Sequence, residues 1–111
     1  MGIERRRAPR YRFVAAADVV DPISRARING RTSDVSLLGC FINTTYSLPP
    51  GTKIQLHLIH EGTTFAASGA VARSEPSMGF GISFVDLKAA QQEQLQKWLT
   101  QTKDYPSQPS S

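Results

Sequence analysis

Four arginines, Arg5, Arg6, Arg7 and Arg10, crowd the run ERRRAPR at 4–10 of a 111-residue chain. Guanidinium groups this close repel one another, so such a cluster is either solvated or matched to an anion. The planar guanidinium fork pairs bidentately with phosphate oxygens and with the O6/N7 edge of guanine. Pro9 disfavours an α conformation at Ala8, so the segment reads as a turn or an extended loop. Extended, it holds the Cα atoms of Arg6 and Arg10 about 13 Å apart; bent, it brings both side chains around one ligand. Taken alone, four clustered arginines are more often a solvated or nonspecific polyanion-binding tail.

A second stretch, DVSLLG at 34–39, supplies directional groups of another kind. Asp34 and Ser36 are two apart, so on a strand they share a side. Asp34 can accept hydrogen bonds from the N–H groups of a guanine edge, or it can orient an arginine. Ser36 can donate to a phosphate or a ring nitrogen. Gly39 suits a positive φ or the close approach of a ligand to the backbone. Leu37 and Leu38 are free to pack inward. Alone, this string is an ordinary strand end with a turn glycine.

Little else in the chain could do chemistry. His57 and His60 lie three apart in one strand and point to opposite faces, so they do not chelate one metal and read as surface or edge histidines. Ser24, Ser36, Ser68 and Ser83 lack a nucleophile-elbow context. Cys40, the only cysteine, reads as a small buried hydrophobe and excludes an intrachain disulfide or a cysteine zinc site. Carboxylates are dispersed, which gives paired acid–base catalysis no footing. No catalytic residue, metal site or cofactor is expected. The protein reads as a non-enzyme.

The elements that must position these groups follow from the apolar pattern. YRFVAAADVV at 11–20 reads as a first strand, ARINGRTSDVS as a second and GCFINTT as a third. LPPG at 48–51 is a turn. TKIQLHLIH alternates, with Ile54, Leu56 and Leu58 on one face and Gln55, His57 and Ile59 on the other. Glu61-Gly62 turns into a fifth strand, TTFAASGAVARS, and after the loop EPSM a sixth follows, GFGISFVDL. Gly79 and Gly81 suggest close backbone approach or a bend. DLKAAQQEQLQKWLTQTK is built of helix formers, with Asp86 as N-cap and Leu87, Leu95, Trp98 and Leu99 on one stripe. Six short strands and one helix imply a mainly all-β fold, a six-stranded antiparallel β-barrel with a C-terminal α-helix over one opening or flank. Residues 1–10 read as a flexible basic arm, 11–103 as the barrel and helix, and 104–111 as a disordered Pro/Ser tail.

Bulk properties agree with one domain. The chain is 40% hydrophobic and 20% charged, which is not a disordered profile. Its formal net charge is +4, with five of 13 basic residues in the first twelve positions, so the remainder is near neutral. A general nucleic-acid-coating surface is therefore not implied. No 18-residue apolar run or signal-peptide region is present, and a cytoplasmic location is expected.

Together RRAPR and DVSLLG resemble the R-x-x-x-R and D/N-x-S-x-x-G elements of the PilZ family, and GFGISF resembles that family's G-x-G-x-x-F strand. The likeness covers about residues 4–100. It implies a six-stranded barrel that binds the bacterial second messenger cyclic di-GMP. By the resemblance, Arg6 and Arg10 clamp the ligand's phosphates and guanine edges, Asp34 and Ser36 hydrogen-bond to guanine, and Gly39 allows close approach. Arg5 adds a further contact and favours a stacked pair of ligand molecules. Met78 and Gly79 line the far edge of the site by analogy. Ligand is then expected to order the arm, and the signal to pass to an unidentified effector protein in trans. Two alternatives stand beside this: a small β-barrel binding single-stranded nucleic acid, which the absence of an aromatic ladder disfavours, and a PilZ-like adaptor that does not bind the nucleotide.

Overall fold

The computed structural model describes residues 9–101. Arg5, Arg6, Arg7 and the segment 104–111 lie outside the described residues. The described chain runs β1 (Tyr11–Arg12), β2 (Ala16–Val20), β3 (Arg27–Val35), β4 (Gly39–Asn43), β5 (Lys53–His60), β6 (Thr63–Glu75), β7 (Gly79–Val85) and α1 (Ala89–Gln101).

Every strand pairing is antiparallel, and β2, β3, β4, β7, β6 and β5 form a closed ring. Closure leaves these six strands without an open edge along the paired region. The ring is the expected six-stranded barrel, with the two-residue β1 as an added pairing on β3. Alternation places the core: Ile54, Leu56 and Leu58 of β5 point inward and are fully buried with Ile42, Phe65 and Phe80. Burying a side chain of this size stabilises by about 1.5–3 kcal/mol.

The first expected strand, 11–20, is in fact two. The ladder breaks over 13–15, and Thr32 of β3 mends it. Its hydroxyl accepts the Ala15 N–H at 2.8 Å and donates to the Phe13 carbonyl. Two backbone groups that would be buried without partners are satisfied by one side chain. Thr32 is accordingly one of two polar residues in the buried set.

The helix begins two residues later than an N-cap at Asp86 would set it. Asp86 is not its N-cap: it adopts a left-handed φ of 51° in the approach to the helix. The amide of Lys88 donates to Gln91 Oε1 at 2.7 Å, the backward half of a capping box. Leu95, Trp98 and Leu99 are buried, as the stripe required, and join the barrel core. The helix also covers backbone of β6 that pairs with β5 but not with β7. Pairing of β6 with β7 begins at Ser68, and Gln91 and Gln94 donate to the Ala66 and Thr64 carbonyls beyond that point.

Candidate ligand-binding site

Pairing of β1 with the end of β3 decides where the arm enters. Tyr11 stands opposite Val35 and Arg12 opposite Asp34. Arg10, one residue before β1, then lies diagonal to Asp34, within reach of a long side chain. Its Nη2 sits 3.0 Å from Asp34 Oδ1, and its Nε donates to the same oxygen at 3.2 Å. The last residue of the R-x-x-x-R element and the first of the D-x-S-x-x-G element are in direct contact. Of the two roles open to Asp34, orienting an arginine is the one observed. Arg10 is 53% exposed and Asp34 29%, so the pair is open to an incoming group.

Ser36 lies elsewhere than the two-residue period required. β3 ends at Val35, and Ser36 is the first residue of the turn into β4. Its hydroxyl accepts the N–H groups of Leu38 and Gly39 at 3.0 and 3.2 Å, and its own amide donates to the Gly39 carbonyl at 2.8 Å. The serine shapes the turn that ends Asp34's strand. Leu38, which had no need to face outward, is exposed, while Leu37 packs against the core.

Gly39 does not have a positive φ. A Cβ there would collide with the carbonyl oxygen of Ile82 on β7. Close approach is the reason for this glycine, and the approaching group is the protein's own backbone. Gly79 is similar: its φ is 137°, and a Cβ would strike the Ile42 carbonyl. It faces Asn43, about 13 Å along β4 from Gly39. The structure thus brings Arg10, Asp34, Ser36 and Gly39 together, and leaves Gly79 and the exposed Met78 at the other end of β4.

The histidines part company. His57 is exposed, whereas His60 is half-buried with its ring 4.4 Å from Phe13 and 5.6 Å from Trp98. Phe13 also stacks on Trp98 at 5.2 Å, so the residue that follows β1 is anchored to α1. Burial pushes the Cys40 thiol well up, with the Asp34 charge adding to the rise, so it is no nucleophile at neutral pH. Among the described residues no group of three His, Cys, Asp or Glu side chains could hold a metal, and no helix is long and apolar enough to cross a membrane.

Among the described residues, a cleft and an open face are candidates for receiving a ligand. A cleft of about 440 Å³ lies between Pro9, Tyr11 and Leu37 on one side and Gln96, Leu99 and Thr100 of α1 on the other. Among the described residues its lining carries no charge. The outer face at Arg10 and Asp34 carries both signs, and only it matches an anionic ligand with polar base edges.

Sequence reading overlooked two residues on that outer face. Phe41 of β4 stands opposite Asp34, and the Arg73 guanidinium carbon lies 5.9 Å from the centre of its ring. An arginine in a strand and a phenylalanine among apolar neighbours give no local signal of meeting. Bulges at β3 and β6 set that register.

Comparison with known proteins places this geometry. No curated sequence matches the chain. Among solved structures, the PilZ domain of CeSA from a cellulose-synthesizing bacterium shares 16% identity at a TM-score of 0.69, over 85% of this chain and 97% of that one. The PilZ domain of YcgR from Escherichia coli, solved with c-di-GMP, shares 15% identity at a TM-score of 0.74, over 90% and 92%. The Bacillus subtilis inhibitor of motility MotI/DgrA shares 17% identity at 0.71, over 92% of this chain and 53% of that one. At these identities the likeness shows the fold. The model of the PilZ domain family matches residues 4–101, a span that takes in the arginine run, the turn at Ser36, the closed barrel and the helix; the chain belongs to the PilZ domain family.

Proposed function

We propose that this protein is a cyclic di-GMP-binding module that acts by binding and not by catalysis. The observation that carries the reading is the contact of Arg10 with Asp34, which joins the two signature elements on the outside of the barrel. Cyclic di-GMP offers two phosphates and two guanines, and the assembled groups are complementary to both. Arg6 and Arg10, with Arg5 beside them, take phosphates and the guanine O6/N7 edge. Asp34 accepts from the guanine Watson–Crick edge. Ser36, whose hydroxyl accepts from the Leu38 and Gly39 amides and donates to the Gly39 carbonyl at 3.4 Å, must turn that proton from the carbonyl to reach a ligand acceptor. Gly39 keeps the turn closed against β7, so that Asp34 stays at the rim.

Ligand charge offsets the repulsion within the arginine run, and binding orders the arm over this face. The altered surface is then read by a partner protein in trans. The stoichiometry proposed is two ligands per protein, stacked. Met78 and Gly79 border only a ligand long enough to run along β4, as such a pair is. The ligand-bound PilZ domain of YcgR, whose fold this chain shares, supports the choice of ligand class.

The test is a calorimetric titration with cyclic di-GMP, followed by amide chemical shifts. Saturable binding, with shifts concentrated in 4–10 and 34–39, supports the proposal. Saturating ligand that leaves both stretches unmoved sinks it. Shifts produced equally by single-stranded oligonucleotides point to a nucleic-acid module instead.

A further inference from the structure

We propose that Arg73 is a further ligand-contact residue of this face, presenting the outer side of its guanidinium to a purine base of the bound dinucleotide. The inference rests on the ligand reading above and adds a contact that neither signature element contains.

Four strands carry one outward-facing row. Asp34 on β3 stands opposite Phe41 on β4, Phe41 opposite Gly81 on β7, and Gly81 opposite Arg73 on β6. Gly81 leaves its place in the row empty. A Cβ built there would lie 3.6 Å from Arg73 Cγ and 3.7 Å from Phe41 Cδ1. The arginine stem and the Phe41 ring border that space from either side, and the guanidinium lies over the ring. Phe41 is only 8% exposed despite its outward position. The guanidinium is also held at one edge, with Nε 3.5 Å from Glu75 Oε2.

A guanidinium with a ring beneath it and a carboxylate beside it has part of its freedom already spent when a ligand arrives. Yet the Arg73 side chain is 61% exposed, which leaves much of its surface open to a ligand. Purines stack on guanidinium planes as they do on aromatic rings. The position suits the ligand as well. The Arg73 guanidinium lies over β4, the strand next to Asp34, so the two groups stand within about two strand spacings, ~10 Å. Two purines joined through one sugar–phosphate ring reach across such a gap. Asp34 then reads one base by its edge, and Arg73 holds another by its plane.

The experiment compares wild type, Arg73→Ala, Arg73→Lys and Asp34→Ala by calorimetric titration with cyclic di-GMP, with the thermal midpoint of each ligand-free protein as control. Arg73→Ala is expected to bind roughly five- to a hundredfold more weakly, the range of lost base stacking. Arg73→Lys keeps the charge and the stem but has no plane, and is expected to resemble Arg73→Ala. Ligand-free midpoints are expected to stay within about 2 °C of wild type, because the side chain is exposed. If Arg73→Ala binds within twofold of wild type while Asp34→Ala loses binding, the role of Arg73 falls and the ligand reading stands. Full rescue by lysine overturns stacking in favour of charge alone. A wild-type protein that binds no cyclic di-GMP overturns both.

Discussion

Arg10 and Asp34, 24 residues apart in sequence, share one carboxylate oxygen, with Nη2 3.0 Å and Nε 3.2 Å from Oδ1. An ion pair this exposed contributes only about 0–1 kcal/mol to folding. Its placement matters more for binding than for stability, because it holds a guanidinium fork at the rim before any ligand arrives.

Arg10→Ala is therefore expected to separate the two properties. Loss of a charge-assisted contact worth about 1.5–3 kcal/mol weakens cyclic di-GMP binding about 10- to 150-fold. Unfolding free energy in urea should change by less than about 1 kcal/mol. Calorimetry that finds undiminished affinity removes Arg10 from the clamp.

Thr32→Val replaces a hydroxyl by a methyl group of similar size at the break between β1 and β2. The Ala15 amide and the Phe13 carbonyl both lose their partner within the buried interior. A cost of about 2 kcal/mol or more is expected in chemical denaturation, since each unsatisfied buried group costs about 1–3 kcal/mol. The arm's root should loosen with it, seen as faster amide exchange at Ala15. A variant as stable as wild type shows that water replaces the hydroxyl.

Gly39→Ala tests whether the turn glycine serves the barrel. The new methyl meets the Ile82 carbonyl, so β4 and β7 must part. Overpacking of this kind costs about 1–3 kcal/mol, and a corresponding fall in denaturation midpoint is expected without any ligand present. Unchanged stability with lost binding would transfer the requirement from β7 to the ligand.

Acid sensitivity is expected to trace to Asp18. Arg27 grips its carboxylate with two hydrogen bonds of 2.9 Å, and Asn29 adds one of 3.2 Å. The hydrogen bond from Arg27, above all, holds the Asp18 carboxyl below its usual range, against a partial rise from burial. A depressed folded value means that this stabilisation is complete above the unfolded value near 4 and fades as pH falls below it. Asp18→Asn should flatten the loss of stability below about pH 4 in acid-titrated denaturation curves. An acid limb identical to wild type assigns the sensitivity to other carboxylates.

Much of this protein is readable along the chain, because what is local repeats locally. The alternation in TKIQLHLIH states which side of β5 is buried, and Leu95, Trp98 and Leu99 state which face of the helix packs inward. RRAPR and DVSLLG name the groups that suit an anionic purine ligand. None of these strings contains its partner. That Arg10 meets Asp34 depends on β1 pairing with the end of β3, a hydrogen-bonded register between distant segments. Ser36 and Gly39 looked like ligand groups, and their observed partners are the turn amides and the Ile82 carbonyl, which only a folded turn and a closed barrel supply. The bulges between Thr32 and Asp34 and between Val71 and Arg73 each add a residue that flips the side-chain count. They aim Asp34 and Arg73 outward along one row with Phe41. Sequence determined the inventory of groups and the faces of each element, because side-chain periodicity is set residue by residue. Tertiary structure decided which groups share a surface, because register and closure arise from backbone pairing across the whole barrel.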